Sequence, residues 1–165
     1  MEHTIKGRAL KYGDNINTDI ISPPQYMELS IAEAAKHAMK AIDPNFSSKV
    51  CIGDILVAGA NFGSGSSRET SPLTLQHLGI TAIVARFFAR IFYRNAINLG
   101  IVAIECPDAD RIQDLDVIEI DLAKGEIHNL TSKQTYRCSK LPPHIMELVN
   151  TGGLVPYLKE QLGNK

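Results

Sequence analysis

The stretch TAIVARFFARIFYRNAINLGIVAIE, residues 81–105, decides how this chain folds. TAIVA (81–85) and IVAIE (101–105) are short apolar runs, the pattern of strands buried on both faces. Between them, Phe88, Ile91, Phe92 and Leu99 recur at helical spacing within residues 86–100, and Gly100 supplies a stop signal. A strand, a helix and a strand joined by a few residues imply a right-handed parallel crossover. Upstream, VCIGDILVA (50–58) contains another strand, and residues 67–78 read as a helix closed by Gly79. The resulting β-α-β-α-β alternation puts the chain in the α/β class with a parallel core.

The flanks add smaller elements. IKGRAL (5–10) reads as an opening strand, and GDNINTD (13–19) is dense in turn formers. Pro23 and Pro24 in IISPPQYM forbid a regular ladder or helix. Residues 30–40 read as a helix with Ser30 as cap and Glu33 completing a capping box. VIEIDLAKGEIHNL (117–130) predicts a hairpin turning at Ala123–Gly125, and QTYRC (134–138) adds a strand. A helix runs from the Pro142–Pro143 pair to Gly152–Gly153, and a last helix covers 154–162. The antiparallel additions surround the parallel core, and residues 1–165 form one domain.

A net charge of −1 and no long basic run give no reason to expect nucleic acid or an anionic membrane as partner. No apolar stretch approaches membrane-spanning length, and the N-terminus lacks an apolar signal core. The expectation is a cytoplasmic protein. Cys51, Cys106 and Cys138 are widely spaced, with no C-x-x-C pair, and read as reduced thiols filling space rather than as a disulfide, zinc or iron–sulfur framework. The five histidines are equally scattered.

Chemistry concentrates in GANFGSGSSRE, residues 59–69, between the 50–58 strand and the following helix. A glycine-rich strand-to-helix turn gathers backbone N–H groups at the positive end of a helix dipole and makes an anion site. The expected nest is Gly63, Ser64 and Gly65, and Arg68 adds a fork that fits a carboxylate or phosphate. The loop lacks the lysine of a Walker A motif and the third glycine of a dinucleotide fingerprint. Ser66 or Ser67 can cap the helix, which leaves Arg68 unexplained. A serine beside such a nest can also work as an alkoxide. The spacing of a nucleophile elbow is absent, and no His or Asp nearby signals a hydrolase triad.

GANFGSGSSRE, HLGITAIVARFFARIFYRNAINLG and GDNINTD together resemble the small-subunit family of 3-isopropylmalate dehydratases, the detached swivel domain of the aconitase superfamily. The likeness runs from about Ile5 to TGGLVPYL (151–158). It implies a swivelling β/β/α three-layer domain. It also implies a separate large subunit carrying a 4Fe–4S cluster, which acts as Lewis acid in a hydro-lyase that moves a hydroxyl on a small dicarboxylate. By the same resemblance Ser66 is the base that takes a proton from carbon. Ser67 and Arg68 bind substrate carboxylate, and Thr18 and Asp19 lie at the site. No cluster is expected on this chain, whose cysteines form no suitable set.

Where tricarboxylate-accepting relatives carry an Arg nine residues after the aspartate, this chain has Glu28, in the string Tyr26-Met27-Glu28-Leu29. A carboxylate there disfavours citrate and homocitrate. Met27 and Leu29 can flank an alkyl substituent instead, unless Glu28 simply faces solvent and Met27 the core. The expected reaction is therefore isomerisation of an alkyl-malate, foremost 2-isopropylmalate to 3-isopropylmalate in leucine biosynthesis. Alternatives are a 2,3-dimethylmalate dehydratase or homoaconitase small subunit and, in another class, a non-catalytic anion-binding regulatory domain. Arg86, Arg90 and Arg94 recur every four residues. They read as one helix face that is either a solvated stripe or a partner-facing or site-supporting surface. Asp14 and Asn17 read as turn formers, and Asn61, Asn95 and Asn98 as loop braces.

Overall fold

A computed structural model describes residues 4–66 and 69–163. One seven-stranded sheet organises them, in the order β4-β3-β2-β1-β5-β6-β7. β1 (Thr4–Lys11), β2 (Ile55–Val57), β3 (Ala82–Ala85) and β4 (Val102–Glu105) are parallel to one another. β5 (Val117–Asp121), β6 (Glu126–Asn129) and β7 (Gln134–Arg137) continue the sheet antiparallel from β1. The parallel core with antiparallel additions is therefore as the sequence predicts.

β1 joins the two halves by splitting its partners. Thr4–Arg8 pair with β5, whereas Ala9–Lys11 pair with β2. The sheet also curls until its outer strands approach. Glu105, ending β4, accepts from Ser139 N–H at 2.8 Å and donates its own N–H to Ser139 Oγ at 3.0 Å, just beyond β7. The parallel half is buried on both faces: Ile55–Val57 and Ala82–Ala85 are wholly inaccessible. β5 and β6 instead alternate, with Ile118, Ile120 and Ile127 inward. These are the burial patterns that continuous apolar runs and alternating runs respectively predict.

Between β1 and β2 lie three helical pieces: α1 (Thr18–Ile21), α2 (Ile31–Ala35) and α3 (Phe46–Lys49). α1 begins in the stretch read as turns, residues 13–19, and runs on through Ile20 and Ile21. Asn17 caps it, its Oδ1 accepting from Ile20 N–H at 2.9 Å. Ser30 caps α2 as expected, accepting from Glu33 N–H at 3.2 Å, but α2 stops after five residues instead of reaching 40. From Lys36 to Ala38 each N–H bonds three residues back, a tighter turn than the α-helix, and Met39 then turns its N–H to the carbonyls of Ile20 and Ile21 at a φ of +61°. Glu33 pairs forward with Lys36 rather than closing a capping box.

α4 (Thr70–Leu78) and α5 (Arg90–Asn98) form the two parallel crossovers. Both begin later than the sequence suggests. Pro72 has no N–H to give to a preceding turn, so it fits only near a helix start, and beginning at Thr70 places it third. Gly79 closes α4 with φ +106°, as predicted. Residues 86–89 are held out of α5 by a ladder to the 59–62 loop, described below. α6 (Pro143–Asn150) and α7 (Leu154–Gly163) end the chain. Among the described residues no helix is long and apolar enough to cross a membrane.

Candidate active site

Three loops leave the C-terminal ends of β1, β2 and β3 side by side, the end of a parallel sheet where ligands gather. They are laced by backbone hydrogen bonds. Asn15 N–H reaches Ala60 O and Gly63 N–H reaches Ile16 O, each at 2.8 Å. On the other side Arg86 N–H meets Gly59 O, Phe62 N–H meets Phe87 O, and Ala89 N–H meets Phe62 O, at 2.9–3.1 Å. Asp14 is more than a turn former: its Oδ1 accepts from Ala60 N–H at 2.8 Å. Asn61 braces the same junction, donating to the Asn15 side chain at 3.3 Å.

Phe62 pins the middle loop from below. Its ring meets Phe92 edge-on at 5.2 Å and Phe88 at 5.9 Å. Gly63 then passes over Phe92 so closely that a Cβ would lie 2.2 Å from its Cγ, at a φ of +86°. Gly65 (φ +110°) similarly passes Thr18 Oγ1, which a Cβ would meet at 2.8 Å. Glycine is required at both places by sterics and by backbone angle.

A cleft of about 190 Å³ opens above this floor, lined by Thr18, Gly63, Gly65, Ser66, Arg90 and Asn95 among others. Ser66 is exposed at its edge, and its Oγ lies 3.5 Å from Thr18 Oγ1. Thr18 itself is buried, with 2% of its surface accessible. Ser67 and Arg68, expected to hold substrate carboxylate, lie outside the described residues.

The anion nest needs two corrections. Gly63 N–H is engaged by Ile16 O, so it does not face a ligand. Among the described residues no acceptor takes the N–H of Ser64 or Gly65. α4 starts four residues after Ser66, with Glu69 at its cap position, so Ser66 does not cap it. The first turn of α5 also lines the cleft, and no side chain caps it.

The three arginines separate. Arg86 precedes α5 and sits 3.7 Å from Asp110. Arg90 lines the Ser66 cleft and also an adjoining hollow of about 460 Å³, with Tyr93, Arg94 and Glu105. Arg94 lines only that second hollow. Burial, then the Glu105 charge, pushes the Tyr93 phenol upward, so it stays neutral. Arg90 is thus the site residue that sequence periodicity left undecided; spacing gave it a face but not what that face meets.

Asp19 is exposed and lines a neighbouring depression with Pro23, Tyr26 and Lys40. The Tyr26 ring stacks on His37 at 3.7 Å. Met27 and Leu29 are about half exposed, at 45% and 46%, so Met27 does not pack in the core; Glu28 is exposed as well.

Among the described residues no group of three His, Cys, Asp or Glu could hold a metal ion. Burial pushes the Cys106 and Cys138 thiols up to about 11 and about 12, and Cys51 is exposed beside Arg8. The described donors, with no three brought together, do not fit an iron–sulfur cluster. Cys51 also departs from the reading of all three cysteines as space-fillers.

The profile of the aconitase C-terminal domain family matches residues 4–109. Several proteins named 3-isopropylmalate dehydratase small subunit are similar over nearly their whole length. That of Methanosarcina acetivorans is 43% identical, covering 98% of this chain and 100% of the relative. The isopropylmalate/citramalate isomerase small subunit of Methanocaldococcus jannaschii is 46% identical, covering 98% of each. A crystal structure of 3-isopropylmalate dehydratase from that organism superposes with a TM-score of 0.91 at 46% identity, covering 96% of this chain and 95% of the other.

Proposed function

The chain belongs to the aconitase C-terminal domain family, among the small subunits of 3-isopropylmalate dehydratase, and from that premise we propose that it is the proton-handling half of an alkyl-malate hydro-lyase. The whole of residues 1–165 acts as one domain. A small subunit implies a large one, and the site at the ends of β1–β3 is completed by that partner. Lewis acidity toward the substrate hydroxyl is the chemistry expected of an iron–sulfur cluster on the large subunit.

The observation that carries the reading is the cleft itself. Ser66 stands at its edge over two glycines, with Arg90 and the uncapped first turn of α5 alongside. In the forward reaction the C–H bond beside a carboxylate breaks and Ser66 Oγ takes the proton. The electron pair becomes the double bond as hydroxide leaves the neighbouring carbon. Readdition with the roles of the carbons exchanged completes the isomerisation. The Ser64 and Gly65 amides, which no described acceptor takes, and the Arg90 guanidinium favour the alkoxide form of Ser66 and hold the substrate's negative charge. Ser67 and Arg68 complete the substrate side, with Asp19 in the adjoining depression. The substrate is 2-isopropylmalate, interconverted with 3-isopropylmalate as in leucine biosynthesis. Exposed Met27 and Leu29 can meet its alkyl group, while Glu28 repels a further carboxylate. A methyl-substituted malate is the second reading, because a relative at 46% identity is named for citramalate as well.

Reconstitution tests this. The chain mixed with a cluster-bearing large subunit should turn over isopropylmalate through an unsaturated diacid visible in the ultraviolet, and Ser66→Ala should abolish that signal. Near-normal turnover by Ser66→Ala would reject Ser66 as the base. Tight binding of malate analogues by the isolated chain, without turnover in the complex, would favour an anion-binding regulatory domain instead.

A further inference from the structure

We propose that Thr18 is a positioning residue for the proton step, acting through Ser66 rather than on the substrate; the proposal rests on Ser66 being the base.

Three observations point there. Thr18 is nearly inaccessible, at 2%, whereas Ser66 beside it is exposed. Its hydroxyl faces Ser66 Oγ at 3.5 Å, and Gly65 leaves no Cβ between the two strands of chain. Its backbone is fixed from several directions. Thr18 N–H donates to Ser64 O at 2.8 Å, and its carbonyl accepts from Ser22 N–H at 2.8 Å and Ser71 Oγ at 3.4 Å. Thr18 also opens α1, whose cap Asn17 is itself bonded. A hydroxyl on so constrained a backbone is a fixed reference point beside a loop serine.

The chemistry needs such a point. Ser66 Oγ must present a lone pair to the substrate carbon, yet a serine hydroxyl rotates freely about χ1. A donor on its far side selects the rotamer and stabilises the alkoxide over the neutral alcohol, lowering its pKa. The 3.5 Å separation is longer than a strong O–H···O bond. Catalytic hydrogen bonds commonly tighten when substrate and the rest of the site close around them. When Ser66 takes the substrate proton it becomes neutral, and Thr18 remains its partner by donating or accepting, so the returning proton is held at the same atom.

The test uses the reconstituted two-subunit complex with isopropylmalate and the variants Thr18→Val, Thr18→Ser and Thr18→Ala. Thr18→Val keeps the shape and loses the donor. It should lower kcat on the order of 10- to 100-fold. KM should change little, and the acid limb of kcat against pH should move to higher pH, because the alkoxide has lost a stabilising partner. Thr18→Ser should restore kcat to within a few-fold of wild type. If Thr18→Val does not fold, the Thr18→Ala and Thr18→Ser pair decides, since those differ only by the hydroxyl. Unchanged kcat in Thr18→Val, or equal losses in the Ser and Ala variants, would overturn the proposal. A rise in KM alone would instead make Thr18 a substrate ligand. Ser66→Ala in parallel separates the two levels. If it is active, the assignment of the base fails. If it is inactive while Thr18→Val is normal, only the role of Thr18 fails.

Discussion

At the residue scale the site depends on what is missing as much as on what is present. Gly63 and Gly65 let the loop run against Phe92 and Thr18, and both occupy left-handed φ values. Gly63→Ala should destabilise the subunit by roughly 2–4 kcal/mol, combining overpacking with an unfavourable backbone angle. Chemical denaturation would show it, and a loss below about 0.5 kcal/mol would mean that the loop shifts without strain. The same residues explain why Ser66 is exposed: a larger neighbour would push the loop away from the cleft. GSGSS shows smallness directly in sequence; that Phe92, 29 positions from Gly63, sets the limit does not show.

At the scale of elements, α5 contributes more than the periodicity suggested. Its first turn starts at Arg90 because residues 86–89 bond to the Phe62 loop, and that delay turns Arg90 toward the cleft while leaving Arg86 near Asp110. Arg90→Gln should raise KM for isopropylmalate about tenfold or more, the value of one charged hydrogen bond. kcat should fall less, and Arg94→Gln should leave KM unchanged. Titrating the small subunit against a fixed amount of large subunit checks the alternative. A rise in the half-saturating subunit concentration, with KM constant, would place Arg90 in subunit docking. The helix itself was legible from Phe92 and the Gly100 stop, although Phe88 lies outside it and Ile91 faces solvent. Its start was not, because a backbone ladder between distant loops leaves no local signal. The start of α4 was legible in principle, since Pro72 limits how far upstream a helix can extend.

At the scale of the whole molecule, the curl that brings Glu105 to Ser139 also brings the Cys106 thiol to within 3.3 Å of Arg137 O. With their pKa values pushed up to about 11 and about 12, Cys106 and Cys138 stay thiols at neutral pH, whereas Cys51 is exposed. A maleimide at about pH 7.5 should therefore label one thiol quickly and the other two only after denaturation. Cys51→Ser should remove the fast phase without loss of activity in the complex. Rapid labelling of all three would mean that the sheet edges do not close.

The sequence by itself determined the α/β class, the parallel order of the core and the small loop that carries Ser66. Those follow from local periodicity, glycine content and motif, which are properties of neighbouring residues. Only the tertiary structure decided that the first turn of α5 lines the cleft, that Gly63 N–H is already taken, that Arg90 alone of Arg86, Arg90 and Arg94 reaches Ser66's cleft, and that Thr18 meets Ser66 while Asp19 lines the next depression. Each of these depends on how loops from separate strands meet. Hydrogen bonds between residues some 45 positions apart set that meeting, and no pattern along the chain records it.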